Sequence, residues 1–127
     1  MKKILIVDDD EIFVKILVDS MPKEKYIITS VLNGEEGLKS IDTSMPDMII
    51  LDLVMPKMGG LEFLEALKNK NLNHKIPILI SSQLSKIKDV SDAVSSGMEI
   101  GVKGYIIKSS QNMEMIIKTI ESTLKGS

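Results

Sequence analysis

The fold of this chain is decided first by residues 4–10, which read Ile-Leu-Ile-Val-Asp-Asp-Asp. Four consecutive apolar residues are typical of a strand buried on both faces, and the acids that follow end that strand. The pattern recurs at residues 48–52, Met-Ile-Ile-Leu-Asp, and at residues 105–108, Tyr-Ile-Ile-Lys. If these runs are neighbouring parallel strands, their carboxyl ends bring acids and a lysine into one pocket. Such a pocket can hold a divalent cation and let one carboxylate attack phosphorus.

Strand and helix patterns alternate five times along the chain. The predicted strands lie near residues 3–8, 26–31, 47–52, 76–81 and 104–107, and the predicted helices near 10–20, 34–42, 59–70, 85–100 and 112–125. Alternation of this kind predicts an α/β fold with a five-stranded parallel sheet, doubly wound by helices on both faces to give a three-layer sandwich. Ligands of such sheets bind beyond the carboxyl ends of the strands, where the acids lie.

Local signals mark several of the element boundaries. Asn33 followed by Glu36 resembles a capping box and predicts the start of the second helix. The pair Gly59 and Gly60 punctuates the loop before the third helix. Pro77 is expected at the start of the fourth strand, where a missing N–H is tolerated.

Composition limits the classes of function. The 127 residues predict one domain, residues 1–127, with ordinary hydrophobic (43%) and charged (27%) fractions. The chain has no cysteine and no apolar run of the roughly 18 residues that a membrane span needs. Its net charge is −2 and every one of its 16 basic residues is lysine. We therefore expect a cytoplasmic protein with no membrane span and no direct nucleic acid contact.

The first predicted helix carries apolar residues on more than one side. Val14, Leu17, Val18 and Met21 repeat with helical spacing and form one core-facing stripe. Ile12 and Ile16 fall on nearly the opposite side, with Phe13 at the flank. Two interpretations stay open: a helix that is buried more broadly than one stripe, or an exposed apolar patch that marks a docking surface beside the acids.

The acids have two interpretations of their own. Asp8, Asp9 and Asp10 are compatible with a helix start that the helix dipole stabilises. Asp52 at a second strand end favours a metal site, because converging carboxylates repel one another until a cation neutralises them. Mg²⁺ suits such a site, since it binds one or two carboxylates together with waters and phosphate oxygens.

Four motifs in order carry a resemblance to a known family. They are Ile6-Val7-Asp8-Asp9, Asp52-Leu-Val-Met-Pro56-Lys-Met-Gly-Gly60, Ile80-Ser81-Ser82 and Gly104-Tyr105-Ile-Ile-Lys108. The sequence resembles the receiver domain of two-component response regulators over nearly its whole length. The resemblance implies the flavodoxin-like strand order 2-1-3-4-5 and five helices.

The resemblance also implies a role for each motif. Asp52 would accept a phosphoryl group from the phosphohistidine of a sensor histidine kinase or a histidine phosphotransfer protein. Mg²⁺ would bind Asp8, Asp9, Asp52 and the backbone carbonyl of Val54. Lys108 would pair with the phosphoryl oxygens, and Ser82 would hydrogen-bond one of them. Movement of the Ser82 loop would open space beside the last strand, where Tyr105 could turn inward as part of a two-state switch. The alternative for Tyr105, a half-buried strand tyrosine without a switching role, stays open.

The partners implied are a downstream output protein or a fused output domain. Ile12, Phe13 and Ile16 are the candidate docking residues. Phosphorylation and slow dephosphorylation of itself would be the only chemistry, so the chain is not expected to be an enzyme. Whether the chain is a stand-alone regulator or a piece of a longer one stays open.

The chain departs from the family pattern at several positions. Ser109 follows Lys108 where proline is usual, and Gln83 follows Ser82 where a small residue is usual. Val54 and Leu84 occupy positions that tune dephosphorylation in the family, and neither can orient a hydrolytic water. We therefore expect a long-lived aspartyl phosphate.

Other functions fit the residues less well. A haloacid-dehalogenase-type phosphatase needs a second aspartate two residues after its nucleophile, and Val54 stands there. A flavodoxin-like flavin carrier needs a glycine- and hydroxyl-rich phosphate cradle where this chain has Asp8, Asp9 and Asp10. The remaining alternative is a degenerate receiver that acts as an unphosphorylated protein-binding module, which the departures at Ser109 and Gln83 leave open.

Overall fold

A computed structural model describes residues 1–53, 58–72, 75–82, 102–108 and 112–125. The strands are β1 (Lys2–Val7), β2 (Tyr26–Val31), β3 (Met48–Asp52), β4 (Ile78–Ser82) and β5 (Val102–Ile107). The helices are α1 (Glu11–Ser20), α2 (Gly34–Thr43), α3 (Gly60–Asn69) and α4 (Met113–Lys125). The helix predicted near residues 85–100 lies outside the described residues, so the structure shows four of the five predicted helices.

The five strands form one sheet in the order β2-β1-β3-β4-β5, and every neighbouring pair is parallel. This order confirms the predicted doubly wound sheet. Alternate residues of the central strands supply two separate cores, as side chains in a strand must. Ile49 and Leu51 pack with Phe63 of α3 on one face, whereas Met48 and Ile50 pack with Leu17 of α1 and Ile116 of α4 on the other. Helices therefore cover both faces and the sandwich has three layers.

Helix α1 buries one stripe and exposes the other. Val14 and Leu17 are buried, and Val18 packs against the same core. Ile12 and Ile16 keep 75% and 50% of their surface exposed. The structure therefore supports the exposed apolar patch over the broadly buried helix.

Strand register fixes where the chemical residues emerge. Val7 pairs with Leu51, so Asp8 leaves the sheet beside Asp52. Asp52 itself pairs with Ser81 of β4. Ser82 pairs with Ile107, which places Lys108 directly past the end of β5. Strands β1, β3 and β5 of one parallel sheet thus deliver acids and a lysine to the same edge, as predicted, although β4 lies between β3 and β5.

Two strand starts differ from the prediction by two residues. Strand β5 begins at Val102, two residues before the predicted start, and β4 begins at Ile78 rather than residue 76. Pro77 stands just outside β4, and its carbonyl accepts a hydrogen bond of 3.0 Å from the Ile49 N–H. Within the part of the chain that the structure describes, no helix is long and apolar enough to cross a membrane.

Candidate functional site

Lys108 stands at the centre of the acidic edge. Its Nζ lies 2.8 Å from Oδ2 of Asp8 and 3.0 Å from Oδ1 of the same carboxylate. Oδ2 of Asp10 and Oδ2 of Asp52 each lie 3.6 Å from that nitrogen. The lysine side chain is only 5% exposed. Lys108 is therefore a buried counter-ion of three carboxylates.

Asp8 is held by more than Lys108. It is buried, and its Oδ1 accepts a 2.9 Å hydrogen bond from the Asp10 N–H. The Ser81 hydroxyl, which is fully buried, donates a longer bond of 3.5 Å to Oδ2. These contacts orient both Asp8 oxygens toward the pocket. Ser81 was not singled out from the sequence, although a serine that interrupts an apolar strand was the available signal.

The electrostatics keep Lys108 charged. Burial by itself lowers the pKa of the Lys108 ammonium, because a low dielectric disfavours the charge. The hydrogen bond and charge of Asp8 act in the opposite direction, as do the charges of Asp52 and Asp10. The balance raises the pKa of Lys108 above 10.5. The site therefore holds a permanent positive charge at neutral pH.

The first turn of α1 also contacts this lysine. Asp10 caps the helix, since its Oδ1 accepts a 3.1 Å hydrogen bond from the Phe13 N–H. The Phe13 ring lies under the ammonium, with Lys108 Nζ 4.7 Å from the ring centroid. Phe13 is partly buried and packs against the core between α1, α4 and the sheet. It therefore differs from its exposed neighbours Ile12 and Ile16, with which it was grouped from the sequence.

The acids fit a hard divalent cation. One carboxylate oxygen each of Asp8, Asp9 and Asp52 lies within 4.8 Å of the other two. Two oxygens that share one Mg²⁺ are separated by up to about 4.2 Å, so small side-chain rotations bring these donors into range. Asp8 and Asp52 are buried, whereas Asp9 is exposed. These residues could hold a metal ion, which would compete with Lys108 for Asp8.

Close backbone packing holds Asp52 in place. The Gly60 N–H at the start of α3 donates a 2.9 Å hydrogen bond to the Leu53 carbonyl. A Cβ at Gly60 would lie 2.7 Å from Cα of Leu53 and 2.9 Å from the carbonyl oxygen of Asp52. Only glycine permits this approach without a shift. Gly60, predicted as part of the loop before the third helix, thus also fixes the backbone that carries Asp52.

Some predicted site residues fall outside the described residues. They are Val54 with its carbonyl, Gln83, Leu84 and Ser109. For Ser82 the structure gives the backbone pairing with Ile107 alone, so its predicted hydroxyl contact stays a prediction. Tyr105 is 49% exposed and pairs with Ile80 of β4. Its side chain is therefore not in an inward position, and its predicted switching stays a prediction.

Comparison with known proteins gives a consistent result. A model of the response regulator receiver domain matches residues 4–121. The alkaline phosphatase synthesis transcriptional regulatory protein PhoP of Bacillus subtilis is 36% identical over 84% of the chain, and the match covers 42% of PhoP. A protein-glutamate methylesterase/protein-glutamine glutaminase of Treponema denticola is 34% identical over 96% of the chain and 32% of its own length. The chain thus spans less than half of either relative.

The fold has close counterparts among solved structures. A DNA-binding response regulator of the LuxR family from Staphylococcus aureus superposes with a TM-score of 0.81 and 25% identity. The superposition covers 98% of this chain and 99% of that one. The agreement extends over the sheet and the flanking helices.

Proposed function

Because this chain belongs to the response regulator receiver domain family, we propose that Asp52 is its phosphoacceptor and that Lys108 and Mg²⁺ support the transfer. In the proposed step, a carboxylate oxygen of Asp52 forms a bond to phosphorus as the phosphorus–nitrogen bond of a donor phosphohistidine breaks. The imidazole nitrogen leaves with the electron pair of that bond and gains a proton. Catalysis of this kind depends on positioning and charge neutralisation.

The roles of the side chains follow from their contacts. Lys108 sits 3.6 Å from the Asp52 carboxylate, so its ammonium is already placed to meet oxygens of a phosphoryl group on Asp52. Asp8, held by Ser81 and the Asp10 N–H, anchors that ammonium. Asp8, Asp9, Asp52 and the Val54 carbonyl are the proposed Mg²⁺ ligands, and the bound ion would neutralise charge on the transferred group.

The partners we propose are proteins. The phosphoryl donor is a sensor histidine kinase or a histidine phosphotransfer protein, and the receiver of the signal is an output protein or a fused output domain. Ile12 and Ile16 are exposed beside the acidic edge, which supports a docking role for this face of α1. Phe13 adjoins them. We propose no direct nucleic acid contact for this domain and a cytoplasmic location.

The readout we propose is a local switch. A phosphoryl group adds about −1.5 to −2 charge, which draws the Ser82 hydroxyl toward it. Tyr105, exposed on the strand next to β4, then turns inward. The chemistry stops there: the domain phosphorylates and slowly dephosphorylates itself and turns over no other substrate.

The observation that carries this proposal is Lys108 buried against Asp8 and Asp52 at the end of three parallel strands. Four acids lie close together at this edge, so the acceptor must be identified chemically. After labelling with acetyl phosphate, borohydride reduces an aspartyl phosphate to homoserine, and peptide mass spectrometry then locates the change. We expect it at residue 52, in wild type and not in Asp52→Asn. Homoserine at residue 8, 9 or 10 in wild type would refute the assignment.

A further inference from the structure

We propose that the first turn of α1, through Phe13 and Asp10, is a positioning element for Lys108. The inference rests on the proposed function, because it concerns how the lysine of that site is aimed. Lys108 has a long, flexible side chain, yet it must reach Asp8 and Asp52 together. Contacts on its tip favour that one direction among its rotamers.

The Phe13 ring supplies one of these contacts. An ammonium within about 6 Å of a ring centroid is attracted by the negative ring face, and here the distance is 4.7 Å. The attraction is strengthened because the lysine tip is shielded from water. The ring is itself fixed, since Phe13 packs against the core that α1 shares with α4 and the sheet. The ring thus limits where the ammonium can go.

Asp10 ties the ring and the lysine together. One of its oxygens accepts the Phe13 N–H at 3.1 Å, and the other lies 3.6 Å from Lys108 Nζ. The same carboxylate therefore caps the helix and attracts the ammonium. Any displacement of the first turn of α1 moves both contacts to Lys108 at once. Ile12 is exposed on that turn, so a partner seated on α1 would touch the element that aims the lysine.

The test separates ring chemistry from packing. Phe13→Leu keeps an apolar side chain and removes the ring, whereas Phe13→Tyr keeps the ring. Val18→Ala is the matched control, because Val18 packs against the same core from the same helix and no contact joins it to Lys108 among the described residues. Two quantities are measured: the rate of labelling by acetyl phosphate with Mg²⁺, and the ¹⁵N-detected ammonium signal of Lys108, assigned by its loss in Lys108→Met.

We expect Phe13→Leu to slow labelling about fivefold, and to shift and broaden the Lys108 ammonium signal as the ring current and shielding are lost. Phe13→Tyr should restore most of the rate and the signal, and Val18→Ala should leave the signal in place. If Phe13→Leu does not fold, Asp10→Asn gives the same readout, because asparagine keeps the helix cap while its charge is gone. In Asp10→Asn we expect labelling by acetyl phosphate to be about threefold slower than in wild type and the Lys108 ammonium signal to be shifted.

A wild-type rate with an unchanged Lys108 signal in Phe13→Leu would overturn the inference, and so would equal effects of Phe13→Leu and Val18→Ala. Failure of the proposed function would be seen in a different measurement from failure of this inference. If wild type is not labelled at all, Asp52 is not an acceptor under these conditions, but the ammonium signal still decides whether the ring positions Lys108.

Discussion

Replacing Lys108 with methionine removes an ammonium that faces three carboxylates. At an effective dielectric constant of about 20, opposite unit charges attract by about 6 kcal/mol at the 2.8 Å of the Asp8 contact and by about 5 kcal/mol at the 3.6 Å of the others. Desolvation of the buried ammonium offsets several kcal/mol of this sum. The combined attraction of the three carboxylates exceeds the cost of desolvating the ammonium, in agreement with the raised pKa of Lys108.

The net loss of stability comes mainly from Asp8. Its side chain has no exposed surface, so without Lys108 its charge stays buried. The partners that remain among the described residues are the Asp10 N–H and the more distant Ser81 hydroxyl. Removal of one partner of such a pair costs about 3–5 kcal/mol. That is a large part of the roughly 5–15 kcal/mol by which a domain is stable.

The assay is urea unfolding at neutral pH with a metal chelator, followed by far-ultraviolet circular dichroism. Lys118→Met is the control, because Lys118 is 72% exposed and its ion pair with Glu114, at 3.7 Å, lies on the surface. Its free energy of unfolding should change by less than about 0.5 kcal/mol. A second series of unfolding curves is measured with Mg²⁺ in place of the chelator. Mg²⁺ should raise the free energy of unfolding more in Lys108→Met than in wild type, because in the variant the ion no longer competes with Lys108 for Asp8.

The reasoning is refuted if Lys108→Met loses less than about 1 kcal/mol, the upper range of an exposed pair. It is equally refuted if Mg²⁺ stabilises Lys108→Met no more than it stabilises wild type.

Three further predictions concern pH, backbone packing and the lifetime of the phosphate. Because folding raises the pKa of Lys108, its contribution to stability is complete below pH 10.5 and is lost as the pH rises through the raised value. Urea unfolding above pH 10.5 should therefore show a steeper loss in wild type than in Lys108→Met, and parallel curves would contradict this. Gly60→Ala should cost about 1–3 kcal/mol and slow labelling of Asp52, because its Cβ would meet Leu53 Cα at 2.7 Å. Gly59→Ala, whose Cβ would lie 3.7 Å from the Leu53 carbonyl oxygen, should cost clearly less, and equal costs would count against the packing argument. The aspartyl phosphate should persist for minutes or longer in Mg²⁺ buffer, since Val54 and Leu84 cannot orient water, and a half-life of seconds measured by intact mass would show the reverse.

The elements of the fold could be predicted because each depends on a local pattern. The apolar runs that end at Asp8, Asp52 and Lys108 predicted three strand ends at one edge of the sheet, and the strand register confirms this prediction. The cap at α2 was predicted from Asn33, whose Oδ1 accepts the Glu36 N–H at 3.0 Å. The start of β5 was placed too late, because Lys103 separates Val102 from the run that signals a strand.

The contacts inside the site were harder to predict. The resemblance paired Lys108 with a phosphoryl group on Asp52, whereas its shortest contacts here are to Asp8. Which carboxylate Lys108 contacts depends on side-chain rotamers and on the relative placement of β1, β5 and α1. The spacing of apolar residues along the sequence predicts neither of these. Phe13 was assigned to the docking flank for the same reason. Helical spacing gives the angle of a side chain around α1, but it does not reveal a contact with Lys108, which follows β5 far away in the sequence.

The most direct test of the central claim is intact-protein mass spectrometry after incubation with acetyl phosphate and Mg²⁺, with Asp52→Asn measured beside wild type. Acceptance at Asp52 predicts the mass of one added phosphoryl group on wild type, lost when the metal is chelated and absent from the variant. An unlabelled wild type would contradict phosphoryl acceptance under these conditions and would favour the unphosphorylated binding module. An equally labelled Asp52→Asn would place the acceptor elsewhere.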